Sequence, residues 1–233
     1  MEKIIYLLWK PTAADAASWG RQLREALPSA LRDAGVHAAR LNLDDGDVAA
    51  AGALRQRLLP DQPQALLQVW VDSAIASLRA PVDAVVTAQA ARWAGYLVTE
   101  SQPLRNTRHP ARVGQRTEGF AQMALLRRPL RLSSEAWLMH WHTVQTPVAI
   151  ETQDTFEYVQ NLVVRALNAD APLFDAIVEE CFPADAMTDP QAFFDARGDE
   201  QKFQRNLQRM MDSVGGFLDL PIDCIPTSQY PLL

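Results

Sequence analysis

The chain has 233 residues, 48% hydrophobic and 21% charged, with a net charge of −6. That balance belongs to a folded globular protein and excludes long disorder, and an acidic chain without a concentrated basic cluster excludes nucleic acid as a natural partner, because phosphate binding needs clustered Lys and Arg. No run reaches the roughly 18–20 apolar residues of a membrane span, and Cys181 and Cys224 show no metal spacing, so no membrane association and a cytoplasmic protein with reduced thiols are expected.

The first apolar run, Lys3 to Lys10, ends at a Lys-Pro turn signal and suits a buried central strand. Asp15 is placed to cap a helix whose one face carries Trp19, Leu23, Ala26, Leu27 and Ala30; Pro28 should bend or interrupt it and Gly35 end it. Val36 to Leu43 alternates as a half-buried strand does, and Asp44-Asp45-Gly46 is a turn. An alanine-rich helical piece is expected from Val48 to Leu59, stopped by Pro60 and Pro63. Leu66 to Val71 reads as a strand, Ala74 to Ala90 as a helix opened by Pro81, and Arg92 to Val98 as a strand. Residues 105–119, polar and basic with Pro110 and Gly114, read as a linker.

The second stretch repeats that order with clearer signals. Phe120 to Leu126 is a strand, and Ser133 caps a helix with Glu135 in its first turn, where an acid also meets the positive end of the helix dipole. Trp137, Trp141, Val144 and Val148 then form an apolar stripe at helical spacing. Strands are expected over Thr155–Val164 and Phe174–Phe182, a helix from Phe193 to Met211 closed by Gly215-Gly216, and a last strand at Ile222–Ile225. Leu7-Leu8-Trp9-Lys10-Pro11 followed by Trp19 is a weaker copy of Leu125-Leu126-Arg127-Arg128-Pro129 followed by Trp137. The tail Thr227-Ser228-Gln229-Tyr230-Pro231-Leu232 likewise echoes Thr99 to Leu104.

The chain is therefore one βαββαβ unit written twice: an α+β fold with a first ferredoxin-like half at 1–104, a linker at 105–119 and a second half at 120–233. Each half should form a four-stranded antiparallel sheet with helices on one face only. Apolar residues on both faces cannot leave the bare side in water, so the two sheets are expected face to face as an α/β barrel enclosing a small cavity.

Arg127-Arg128-Pro129, then Leu132-Ser133, Glu135, Trp137 and Trp141, and then Phe174-Asp175-Ala176-Ile177-Val178-Glu179-Glu180-Cys181-Phe182, resemble the EthD group of the dimeric α/β-barrel superfamily. The resemblance covers Phe120 to Leu233 directly and the first half only through the repeat. It implies binding of a small apolar or aromatic organic molecule in the barrel cavity, without metal or organic cofactor. The alternative it implies is a cofactor-independent enzyme of cyclase, isomerase, lyase or oxygenase type that uses a buried glutamate as acid or base. Related barrels expose sheet edges, which points to a homodimer. The resemblance also places a histidine where this chain has Gln145, whose repeat partner is Leu27. A glutamine donates and accepts hydrogen bonds but cannot shuttle a proton near neutral pH.

Among the residues themselves, Glu179 and Glu180 point to opposite faces of their strand. One must face the barrel cavity or the helix layer, where it is a candidate acid or base; the competing reading is a salt bridge with an arginine such as Arg127 or Arg165. His140 and His142, two apart on a helix, diverge too far to chelate one metal, and no metal site is expected; His142 is instead a candidate stand-in for the missing histidine. Tyr158 and Gln160 share a strand face that, with Gln145 and Trp141, is expected to line the ligand site, or else to be core. Cys181 has no neighbour in sequence to lower its pKa and is a poor nucleophile.

Overall fold

The structure, a computed structural model, describes all residues 1–233. The Ile-Ile-Tyr-Leu-Leu run forms β1 (Glu2–Trp9), buried along its length because β3 (Ala65–Val71) and β4 (Arg92–Leu104) flank it. Its two faces serve two cores. Ile4, Tyr6 and Leu8 pack beneath helices α1 (Ala16–Asp33) and α2 (Ala76–Gln89), whereas Ile5 and Leu7 point into the barrel. With β2 (Ala38–Leu43) the first sheet has the order β4-β1-β3-β2. The second half builds the same pattern, β6-β7-β5-β8, from β5 (Phe120–Leu126), β6 (Glu157–Ala166), β7 (Ala176–Phe182) and β8 (Asp223–Pro231).

The facing sheets join at both edges, β2 to β8 and β4 to β6, into one closed antiparallel barrel of two βαββαβ halves. Two elements expected to be short make this closure. β4 continues through Thr99–Leu104, and β8 takes in the tail as far as Pro231, so the echoed tails are the strands that knit the halves together. Closure removes free strand edges. The argument for a homodimer from open edges therefore does not apply to this chain.

Helix boundaries follow local chemistry. Asp15 accepts a hydrogen bond from the Ser18 amide and caps α1, whose buried stripe is Trp19, Leu23, Leu27 and Leu31. Pro28 sits inside α1 without interrupting it. It removes one intrahelical bond, and the apolar stripe pressed on the sheet outweighs that loss. The chain beyond β2 forms a 3₁₀ segment, Gly46–Leu54, where an α-helix is expected.

In the second half, Ser133 caps α3 (Ser134–His140), which passes through one wide π-helical turn, Trp141–Gln145, into α4 (Thr146–Thr152). The last helical region is split into a short α5 (Pro190–Phe193) and α6 (Glu200–Phe217). Gly215 and Gly216 lie within α6, not beyond its end. A Cβ on Gly216 would collide with the ring of His140, which stacks on Phe217 and bonds the Ser213 carbonyl at 3.0 Å. Gly216 thus lets α3 and α6 approach, and His140 is a packing residue. No helix is long and apolar enough to cross a membrane.

Candidate functional site

Tyr158, Glu180 and Gln122 lie side by side on β6, β7 and β5, on the face turned toward the helices. Over this row sits a cavity of about 560 Å³, within the usual range for small-molecule sites. Trp141 and Gln145 of the π turn, Phe193 of α5, and Met210, Val214 and Phe217 of α6 form much of its wall. Ala50, Ala53 and Leu54, from the 3₁₀ segment of the first half, line it as well. The lining is mostly apolar, with a few polar groups concentrated on its floor.

Glu180 is the charged group of that floor. It has no hydrogen-bond partner in the protein, and burial pushes its carboxyl pKa up to about 7. The internal repeat shows that the fold does not require it. In the first half Leu7 pairs with Leu66, and three steps back Ile4 pairs with Val69; in the second half Leu125 pairs with Ile177, and three steps back Gln122 pairs with Glu180. Ile4 and Val69 belong to a continuous apolar core under α1 and α2. The same two positions in the second half carry an amide and a carboxyl facing open space.

Glu179 points the opposite way, into the barrel. Its carboxylate accepts from Arg40 Nη1 at 2.8 Å, Asn42 Nδ2 at 2.7 Å, Gln68 Nε2 at 2.9 Å and Gln229 Nε2 at 2.8 Å. Arg40 also reaches Glu157 at 3.1 Å. Burial opposes ionisation of Glu179, but Arg40 and the three amides outweigh it and hold the carboxyl below its usual range. A carboxylate so fully paired is a structural anion and a poor base, so Glu179 is not the acid or base expected of it. Its partner is Arg40, not Arg127 or Arg165, which bond Leu173 O and Ala74 O respectively.

This polar cluster and the packed side chains of Ile5, Leu7, Leu66, Tyr96, Met123 and Ile177 fill the barrel interior. The ligand space expected between the two sheets instead lies between the second sheet and its helices. In the first half the long α1 lays Trp19, Leu23, Leu27 and Leu31 directly on the sheet. In the second half the broken α3–α4 and α5–α6 segments surround a gap with Gln145, Gln153 and thioether side chains on its rim.

The other expected site residues divide. Trp141 and Tyr158 line the cavity, and Trp141 Nε1 donates to the Tyr158 hydroxyl at 3.0 Å. Burial raises the Tyr158 pKa well above the usual phenol range, so that hydroxyl stays protonated. Gln145 lines the cavity with its amide nitrogen 3.3 Å from Met210 Sδ and its carbonyl oxygen unpaired. Gln160 lies behind the wall: its amide bonds Thr146 Oγ1 at 2.7 Å, which in turn bonds the Trp141 carbonyl at 2.8 Å. It ties the π turn to β6 and does not line the cavity. His142 is exposed and outside the lining, so it does not replace the absent histidine.

Sequence reasoning missed Gln122, Gln153 and Cys224, all in the lining. The only signal for Gln122 was a lone amide in the otherwise apolar run Phe120–Leu126. Cys224 is buried, and burial followed by the nearby Glu180 carboxylate pushes its thiol up to about 12. It is therefore a neutral wall residue. Burial likewise pushes up the Cys181 thiol, which faces Glu157 inside the barrel.

No family model matches the chain, and no curated protein matches it. Solved structures do. One described as an anthrone oxidase-like protein superposes with a TM-score of 0.58 at 8% identity, covering 99% of this chain and 93% of that one. A dye-decolorizing peroxidase from Bacteroides thetaiotaomicron gives a TM-score of 0.50 at 8% identity, covering 98% and 93%. These likenesses show the fold alone, a closed antiparallel barrel with helices on its outside.

Proposed function

We propose that this chain is a divergent EthD-like protein that binds a small apolar or aromatic organic molecule beneath the helices of its second half, with Glu180 as the proton acceptor. The observation that carries the reading is the unpaired Glu180 carboxyl, poised at about 7 in an apolar cavity where the first half holds Val69. A base with a pKa near the working pH combines a useful ionised fraction with a strong pull on the proton. The apolar walls bind the body of the ligand, and Tyr158 and Gln145 supply polar contacts that orient it. Gln145 lacks the proton-shuttling capacity of histidine, so proton transfer rests on Glu180 alone.

Anthrone and 2-naphthol are suitable probes, each an aromatic body with one acidic position. Binding is read from quenching of tryptophan fluorescence, since Trp141 is in the wall, and proton loss from the absorbance of the anion. Proton transfer in the wild type is expected to rise with pH through about 7 and then level, because the base must be ionised. Glu180→Gln should retain binding and lose about 100-fold or more in proton transfer. A Glu180→Gln variant that matches the wild type would overturn the reading. Binding without proton transfer in the wild type would leave a carrier of small molecules in its place.

A further inference from the structure

The row beside Glu180 narrows the ligand's chemistry, an inference that rests on the reading of Glu180 as a base. Gln122 and Glu180 are directly opposed in the β5–β7 register, which sets their Cβ atoms roughly 5 Å apart on the same sheet face. Both line the cavity, and no hydrogen bond of the structure engages either side chain. Gln122 is 8% exposed, and what remains open of it faces the cavity. The packed half shows that Ile fits at the matching position and Val at its neighbour. An adjacent amide donor and carboxylate base, both reaching into one apolar space, match two adjacent groups of one ligand.

We infer that the ligand is an enolisable ketone, with Glu180 taking the proton from the carbon next to the carbonyl and Gln122 donating a hydrogen bond to the oxygen. In the step, the C–H bond breaks and its proton goes to the Glu180 carboxylate. The electron pair left on carbon forms the C=C bond, and the carbonyl π pair moves to oxygen as the enolate. The step is balanced without any other reactant. Charge that begins on a carboxylate ends on an oxygen facing the Gln122 N–H, and a donor aimed at the developing charge strengthens most in the transition state. Tyr158, kept protonated beside Glu180, is the third member of the row and flanks the carboxylate on its other side.

The test follows exchange of the α-protons of 2-tetralone for deuterium in D₂O by NMR, with the ketone's dissociation constant measured alongside. The wild type should accelerate exchange. Gln122→Ile, which copies Ile4 of the packed half, should slow it by about 100-fold while binding changes only a few-fold, as removal of one oxyanion donor does elsewhere. Gln122→Asn, shorter but still a donor, should recover part of the rate. Glu180→Gln should abolish the acceleration. If Gln122→Ile exchanges like the wild type while Glu180→Gln does not, the role of Gln122 falls and the base stands. If Glu180→Gln also exchanges like the wild type, or the wild type shows no acceleration, the base and the enolate fall together.

Discussion

Two neighbouring glutamates on one strand meet opposite electrostatic fates, and each fate is measurable as a pH dependence. Glu180 has a pKa of about 7 in the folded state against 4.5 for an unperturbed side chain. The unfolded chain therefore releases that proton first, and stability falls as pH rises from about 4.5 to about 7, then stays flat. Glu180→Gln removes the cost: the variant should be about 2 kcal/mol more stable than the wild type at pH 8 and no different at pH 4, a value reduced for water at the cavity mouth. Urea melts at the two pH values read this directly, and a difference independent of pH would show that the carboxyl does not titrate there. Glu179 has the opposite sign. Its pKa is depressed, so its contribution is present above the unfolded value and lost as pH falls through the folded one. Glu179→Gln leaves Arg40 with one carboxylate partner in a buried setting and should cost about 3 kcal/mol in the same melts at pH 7. The opposing directions of these two side chains were legible in the sequence, because strand alternation requires them. Which direction held open space was not, since that depends on Arg40 and Asn42 of β2, Gln68 of β3 and Gln229 of β8, residues distant in sequence that fold places around Glu179.

At the level of elements, capping and periodicity were readable wherever local chemistry decides the outcome. Asp15 and Ser133 cap as their residue types dictate, and the Trp137–Trp141 spacing lays both indoles inward. Breaks inside helices were not readable. The π turn at Trp141–Gln145 arises where Thr146 and Gln160 pull the Trp141 carbonyl toward β6, a tertiary cause with no local signature. Such turns recur at functional sites because they displace one side chain from the helical pattern, and here Gln145 is the side chain brought to the cavity. The 3₁₀ segment Gly46–Leu54 shows the same dependence: its alanines suggested an α-helix, yet its position is fixed by contact with the other half. Because Ala53 is exposed at the cavity mouth, a larger side chain there meets no core. Ala53→Phe should weaken binding of an aromatic probe by about tenfold or more, as lost cavity space removes contacts worth about 1–2 kcal/mol, while the melting temperature stays within about 2 °C of the wild type. An unchanged affinity would show that the ligand does not reach the first half.

Across the whole molecule the two halves differ in packing: the first is filled beneath its helices and the second holds a cavity there. The repeat in the sequence was enough to give two ferredoxin-like halves and their opposition across a barrel. It did not give the edge pairings, because a tail such as Thr99–Leu104 or Thr227–Leu232 has no alternating apolar pattern of its own and becomes a strand only against a partner. The β4–β6 and β2–β8 ladders make each half incomplete alone: β2 and β4 would become bare edges, and Ile5, Leu7 and Tyr96 would lose the Met123, Leu125 and Ile177 side of their core. The Arg40–Glu179 pair also spans the halves, so separation leaves each charge without its partner. Fragments 1–104 and 105–233, made separately, should therefore lack cooperative unfolding transitions, and mixing them should yield a one-to-one complex with a single transition by circular dichroism. A folded monomeric 105–233 that binds the aromatic probe would show instead that the second half is autonomous. The asymmetry has a physical logic under the proposed function. A cavity with an unpaired carboxyl lowers stability, and a barrel in which both halves held one would carry that loss twice; the fully packed core under α1 and α2 offsets the single open site in its partner.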